Sequence, residues 1–163
     1  MSQINIFKLY SKEIIPSSII ILFIFLADRL TKIKAINFLS DIKAVYINDF
    51  LNLNLTFNTG IGFGFFSLKT GLIYNLISLF ILLVIIYLIY LMANSNRTDK
   101  ILYSLILGGA LGNFYDRALY FAVPDFIDLH YKEFHWFTFN IADIFITLGI
   151  IALISNEILL KNE

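Results

Sequence analysis

Two hydrophobic rhythms alternate along this chain. From Ile14 to Ile36, and most clearly through Ile19-Ile20-Ile21-Leu22-Phe23-Ile24-Phe25-Leu26-Ala27, apolar residues follow one another with no polar face, a surface that only lipid or other protein covers. This is the first predicted span, with Pro16 fitting the first turn of a helix. Gly71 to Ala93 repeats the pattern with Asn75 and Ser78 as its only strongly polar interior members, Ile101 to Phe121 gives a third span, and Phe139 to Leu160 a fourth. Between the first two spans the period changes to two. Val45-Tyr46-Ile47 and Phe50 to Phe57 alternate as β-strands do, and predict a small β element at the membrane surface. Gly60, Gly62 and Gly64 then break regularity, permitting positive φ or close approach of another backbone.

Polar stretches separate the remaining spans. Asn94 to Lys100 reads as a short turn, and Pro124 to His135 as a polar stretch whose aromatics Tyr131, Phe134 and Trp136 suit the headgroup level. Gly108 and Gly112 have the spacing that lets a neighbouring helix come close. The N-terminus, with Lys8 and Lys12 before an apolar run, has the outline of a signal peptide. No small-x-small site follows, and the run continues into Asp28-Arg29-Leu30-Thr31-Lys32, so the segment is expected to remain as the first span. Residues 1–163 read as a single membrane domain, with no repeat or linker.

Composition strengthens this picture. The chain is 59% hydrophobic, 17% aromatic and only 15% charged, with a mean hydropathy of +0.81; soluble domains carry about 25% charged residues. A net charge of zero removes the footprint of a nucleic-acid binder. The absence of cysteine excludes thiolate nucleophiles and cysteine-based metal sites. Four spans put both termini and the 94–100 turn on one side. Lys8, Lys12, Arg97, Lys100 and Lys161 stand there against Lys34, Lys43, Lys69 and Lys132 in the opposite loops, a small bias toward cytoplasmic termini.

The opposite face then gathers Asp28, Asn58, Asn113, Asp116, Arg117, Asp125, Asn140 and Asp143 from different helix ends and loops. Asn113, Asp116 and Arg117 share one helix face by spacing, as do Asn140 and Asp143. Each has a structural reading beside the chemical one. Asp28 and Lys32 have the i,i+4 spacing of a helix-end ion pair, Asp116 and Arg117 are placed to neutralise each other or a neighbour, Asn58 precedes Gly60 as turn residues do, and Asp125 after Pro124 has the form of a helix cap. His130 and His135 read as solvated or headgroup-facing, with a metal site the weaker alternative. Gly60-Ile61-Gly62-Phe63-Gly64 lacks the setting of a dinucleotide fingerprint.

Carboxylates at an apolar boundary lose hydration and are retained there when they pair, bind an ion or move protons. With no cysteine and no serine elbow, paired aspartates are the remaining chemistry: Asp125 and Asp143 are candidates to activate water and protonate a scissile amide, with asparagines and Arg117 as donors to a developing oxyanion. The scheme uses no metal and no cofactor. Two other readings compete, a small proton- or cation-coupled transporter component and a non-catalytic assembly subunit held by the Gly108–Gly112 face.

Five stretches in order then resemble the lipoprotein signal peptidase (type II signal peptidase) family: Asp28 to Lys32, Phe57 to Gly64, Gly108 to Arg117, Val123 to Ile127, and Phe139 to Asp143. The resemblance implies an all-α polytopic membrane protein with four transmembrane helices, a small extracytoplasmic β-cradle and a short helix between helices one and two, and cytoplasmic termini in the bacterial inner membrane. It implies an aspartic endopeptidase that removes signal peptides from diacylglyceryl-modified prolipoproteins, with Asp125 and Asp143 catalytic. Asn58, Gly60, Asn113, Asp116, Arg117, Asn140, Asp28 and Lys32 are carried over as supporting positions. Membrane lipids and globomycin-type inhibitors are the further partners it implies, and a monomer is expected. One departure stands out: the family usually has Val-Val-Asp-Phe where this chain has Val123-Pro124-Asp125-Phe126. Pro124 removes a backbone donor beside the proposed catalytic residue.

Overall fold

In the computed structural model, residues 3–60 and 71–160 are described. They form α1 (Gln3–Leu39), β1 (Val45–Asn48), β2 (Leu51–Asn58), α2 (Leu72–Ala93), α3 (Arg97–Tyr120), β3 (Val123–Tyr131), β4 (Phe134–Phe139) and α4 (Ile141–Leu160). The strands make one antiparallel sheet in the order β1-β2-β3-β4. Gly62, Gly64 and any helix between residues 61 and 70 lie outside the described residues.

α3 packs against each of the other three helices. Its own sequence explains why. Glycines remove side chains from the contact surface, so a Cβ added at Gly108 would stand 2.8 Å from Cβ of Ile24 in α1, and one at Gly112 would stand 2.5 Å from a carboxylate oxygen of Asp28. The predicted close approach along Gly108 and Gly112 is therefore present, and Gly109 extends it to α4: a Cβ there would meet the Ala142 carbonyl oxygen at 2.4 Å. Backbone cannot yield as a flexible side chain does. Gly109→Ala should lower the melting temperature in detergent by the equivalent of about 1–3 kcal/mol, as overpacked contacts do; an unchanged melting temperature would show that α3 and α4 separate freely.

Among the described residues, three helices are long and apolar enough to cross a membrane: Ile14–Leu39, Tyr74–Ala93 and Ile141–Leu159. Their large apolar side chains point outward, with Phe23, Phe80 and Ile151 all more than half exposed. Surface of this kind and extent is stable against lipid and not against water. The molecule is a membrane protein. α3 does not qualify by composition, since it buries Asn113, Asp116 and Arg117 at the centre of the bundle.

Several expectations change. The fold is mostly helical but not all-α, because Pro124 to His135 is not a loop: it supplies β3 and the start of β4, joined through Lys132 at φ 53° in a two-residue turn. The sheet is thus built from the α1–α2 and α3–α4 connections together rather than from the first alone. Pro16 lies inside α1 rather than in its first turn, as the helix begins at Gln3. Helices crossing lipid tolerate interior proline because neighbours re-satisfy the freed carbonyl. The turn predicted over 94–100 is shorter, because α3 begins at Arg97: Asn96 caps it by accepting from the Asp99 N–H at 2.9 Å, while Asn156 of α4 donates to Asp99 at 2.8 Å.

Below the helices, Ala35, Leu39 and Phe126 form a small core joined by Val45, Leu53, Leu55, Ile127 and Ile141. It seats the sheet on the end of α1. That contact sets the height of β3 relative to the start of α4, and so the position of Asp125 relative to Asp143.

Candidate active site

Asp125 enters the site from β3, opposite Thr56 of β2, and is 4% exposed. Its two oxygens accept from Asn140 Nδ2 at 2.6 Å and Asn58 Nδ2 at 3.0 Å. Both amides are themselves fixed. Asn58 Oδ1 accepts from the Gly60 N–H at 3.0 Å, and Asn140 Oδ1 from the Asp143 N–H at 3.1 Å.

Asp143 lies in the first turn of α4. Its carboxylate accepts from the backbone N–H of Asn140 at 3.1 Å while Asn140 caps the Asp143 N–H, the reciprocal pattern of a capping box. Helix starts leave N–H groups without partners, so local sequence alone orients this side chain. Asn113 of α3 adds a second donor at 2.7 Å. Asn113 donates there through Nδ2, and its Oδ1 accepts from Lys32 Nζ at 2.8 Å, which links the site to the polar layer behind it.

That layer is an ion cluster buried between α1, α3 and α4. Lys32, fully buried, lies 2.7 Å from Asp28 and 2.8 Å from Asp116. Asp116 also pairs with Arg29, whose guanidinium sits 4.9 Å from the Tyr115 ring centre. Asp28 reaches across to accept from the Ala142 N–H at 3.0 Å, pinning the beginning of α4. The Asp28–Lys32 ion pair expected from spacing is present. Asp116 and Arg117, by contrast, do not neutralise each other and do not share a face: successive helical residues point about 100° apart, so Asp116 turns to α1 and Arg117 to the cavity. Arg29 carried no assigned role in the sequence; its only signal was adjacency to Asp28.

Arg117 donates to the Gly60 carbonyl at 3.0 Å and to the Asn113 carbonyl at 3.4 Å, and Tyr74 of α2 donates to the Arg117 carbonyl at 3.0 Å. The guanidinium thus reaches two backbone oxygens while lining the cavity. Two of its five N–H groups are used in this way, and they fix the chain at Gly60 just after β2.

A cavity of about 340 Å³ opens onto these groups, lined by Asn58, Asn113, Arg117, Asp125 and Asp143 with apolar walls from Val123, Phe139 and Ile146. Burial, and then the nearby Asp143 charge, push the Asp125 carboxyl up from 3.8 to about 6, against the lowering effect of the Asn58 and Asn140 hydrogen bonds. Asp125 therefore keeps its proton to a higher pH than an ordinary carboxyl does, up to about 6. The predicted pair converges: two carboxylates on one cavity, each bonded to Asn140. Pro124 stands opposite Phe57 in the β2–β3 ladder, contributing a carbonyl and no N–H.

The raised value has a consequence for stability. Below pH 3.8 the carboxyl is neutral folded or unfolded; between 3.8 and about 6 only the folded protein keeps the proton; above 6 a buried carboxylate remains. Stability from this group is lost as pH rises through that window, by about 3 kcal/mol. Melting curves of Asp125→Asn and the parent protein should therefore diverge in favour of the variant between pH 4 and pH 8. A constant difference would contradict the raised value.

The sequence model of the family described as "Signal peptidase (SPase) II" matches residues 20–159. The chain belongs to the signal peptidase II family. The lipoprotein signal peptidase of Pelagibacter ubique (strain HTCC1062) is 45% identical over 166 residues, covering 100% of this chain and 96% of that protein. That of Francisella tularensis subsp. novicida (strain U112) is 39% identical, covering 89% and 92%. Two solved structures, described as bacterial membrane enzymes obtained by the in meso method at 2.3 Å and 1.9 Å resolution, match with TM-scores of 0.74 and 0.71. Their identities are 32% and 28%, with 90% and 86% of this chain covered, and 88% and 91% of theirs. Membership makes the chain a peptidase, and the fold is that of a membrane enzyme.

Proposed function

We propose that this signal peptidase II family member removes signal peptides from diacylglyceryl-modified prolipoproteins by water attack at the Asp125–Asp143 pair. The observation that carries the reading is the shared contact with Asn140: its side chain donates to Asp125 and its backbone N–H to Asp143, so one residue fixes both carboxylates on one cavity. Asp143, at a helix N-terminus that favours negative charge, takes the proton from water. Asp125, which retains its proton, donates it to the carbonyl oxygen of the scissile amide as the water oxygen bonds to the carbonyl carbon. Collapse of the tetrahedral intermediate breaks the C–N bond as Asp143 passes the proton it took from water to the leaving nitrogen and Asp125 takes back its proton from the oxygen. Asn58, Asn113 and Asn140 hold the pair; Gly60 and Arg117 fix the loop end beside it; Asp28, Lys32 and Asp116 fix the helices.

In this reading α3 is the fourth transmembrane helix, made polar by its central position. Residues 1–163 form one domain of the bacterial inner membrane, acting as a monomer among membrane lipids. The termini are cytoplasmic, and the sheet forms a cradle over the site at the extracytoplasmic face. The apolar walls beside the aspartates suit a signal helix and acyl chains.

The test mixes purified protein with a prolipoprotein, diacylglyceryl-modified or not. A mobility shift confined to the modified substrate and blocked by globomycin is expected. Equal cleavage of the unmodified protein, or none of either, would overturn the assignment of substrate.

A further inference from the structure

The chain has two histidines and no cysteine, and both histidines meet at one spot on the sheet. His130 of β3 stands directly opposite His135 of β4, with the rings stacked 5.3 Å apart. Asp128, two residues before His130 on the same strand, has an oxygen 2.7 Å from Nδ1 of His135. One ligand atom from each of the three lies within 4.8 Å of the other two. His130 is 7% exposed and Asp128 3%, contrary to a solvated loop, because β3 runs between β2 and β4.

Pairs of Asp and His are common on protein surfaces, so proximity alone decides little. Two buried polar atoms beside this cluster decide more. Among the described residues, Nδ1 of His130 has no hydrogen-bond partner, and neither has Oδ1 of Asn52, the residue directly opposite Asp128 in the β2–β3 ladder and therefore on the same sheet face. Buried polar atoms left unpaired in this way cost free energy and call for a partner. The unpaired nitrogen belongs to one of three groups already gathered with metal-binding chemistry.

We propose that Asp128, His130 and His135 bind one divalent transition-metal ion, zinc first among them, with Asn52 beside the site as a fourth oxygen donor or as the hydrogen-bond partner of a metal-bound water. Imidazole nitrogen with a carboxylate oxygen is a donor set zinc accepts, and three protein ligands with one open position is one of its usual arrangements. Nitrogen and oxygen ligands at about 2.0–2.2 Å from a tetrahedral ion stand roughly 3.4 Å apart. Closing from the present separations falls mainly to His135, whose side chain is 54% exposed and free to turn, while Asp128 and His130 stay fixed by the strands. The ion fastens β3 to β4 at the hairpin end. β3 also carries Asp125, so the ion stiffens the strand that positions the proposed acid without joining the reaction.

The test uses untagged protein in detergent, stripped with a chelator and titrated with zinc chloride against a chromophoric zinc chelator. One zinc per chain is expected, with affinity falling at least about tenfold in His130→Ala, Asp128→Asn and His135→Ala. The last variant removes an exposed side chain and so keeps the fold. Zinc should raise the melting temperature of the parent protein and not of His135→Ala. No saturable binding by the parent protein would overturn the proposal. So would binding unchanged in His135→Ala, or binding lost in Asp125→Asn with the histidines intact, which would place the ion at the aspartate pair.

Discussion

Asp125→Asn and Asp143→Asn are each expected to lower the rate of prolipoprotein cleavage by about a thousandfold or more, while the protein still inserts and accumulates. General acid and base groups typically contribute 10²–10⁴-fold each, and here neither has a substitute: the asparagines around them are donors committed to the carboxylates, and Arg117 is committed to backbone carbonyls. The amide keeps the volume and one acceptor. Loss of rate in variants that melt no lower than the parent protein therefore reports chemistry rather than folding. Initial rates on a diacylated substrate, read beside melting curves, make the comparison. If either variant keeps a tenth of the activity, the remaining carboxylate suffices alone and the pair is not the catalytic unit.

Lys32→Met should produce the largest loss of stability in the molecule. Lys32 is fully buried between Asp28 and Asp116 and donates to Asn113, so its removal leaves two carboxylates facing each other with Arg29 as the nearest cation. Breaking a buried ion pair by deleting one partner costs about 3–5 kcal/mol, because an uncompensated charge stays behind. The effect should reach the site. Asn113 loses its anchor, and Asp28 holds the Ala142 N–H one residue from Asp143. Adding Asp28→Asn should recover part of the stability by removing one orphaned charge, a coupling of the kind neighbouring residues show. Thermal unfolding of the single and double variants in detergent measures this. Strict additivity of the two losses would show that the charges do not interact.

Much of this was legible without coordinates because it is local. The long apolar runs set α1, α2 and α4, and the Asn140–Asp143 spacing already contained the cap that orients one aspartate. The β3–β4 hairpin was missed, although Phe126-Ile127 and Phe134-His135-Trp136-Phe137-Thr138-Phe139 are rich in strand-forming residues flanking Lys132-Glu133. Its polar members, Asp128, His130 and His135, masked the alternation; Asp128 and His130 are buried because β3 pairs with β2, more than seventy residues earlier. Such pairing has no local signature. The same holds for Arg29, whose partner Asp116 lies 87 residues away, and for the division of labour between Asp116 and Arg117. Neighbours in sequence, they serve different interfaces, and only the packing of α3 against α1 separates them.

The central claim is that two carboxyl groups hold one proton between them while a water molecule waits at the same cavity, and the pH dependence of kcat/KM for a diacylated prolipoprotein tests it most directly. That parameter reports the ionisation of the free enzyme, and its apparent values belong to the pair rather than to either residue. A bell-shaped profile is expected, with an alkaline limb that begins near pH 6 as Asp125 gives up its proton. A rate that stays level or keeps rising from pH 6 to pH 9 would mean that no protonated carboxyl takes part, and would contradict the shared-proton mechanism.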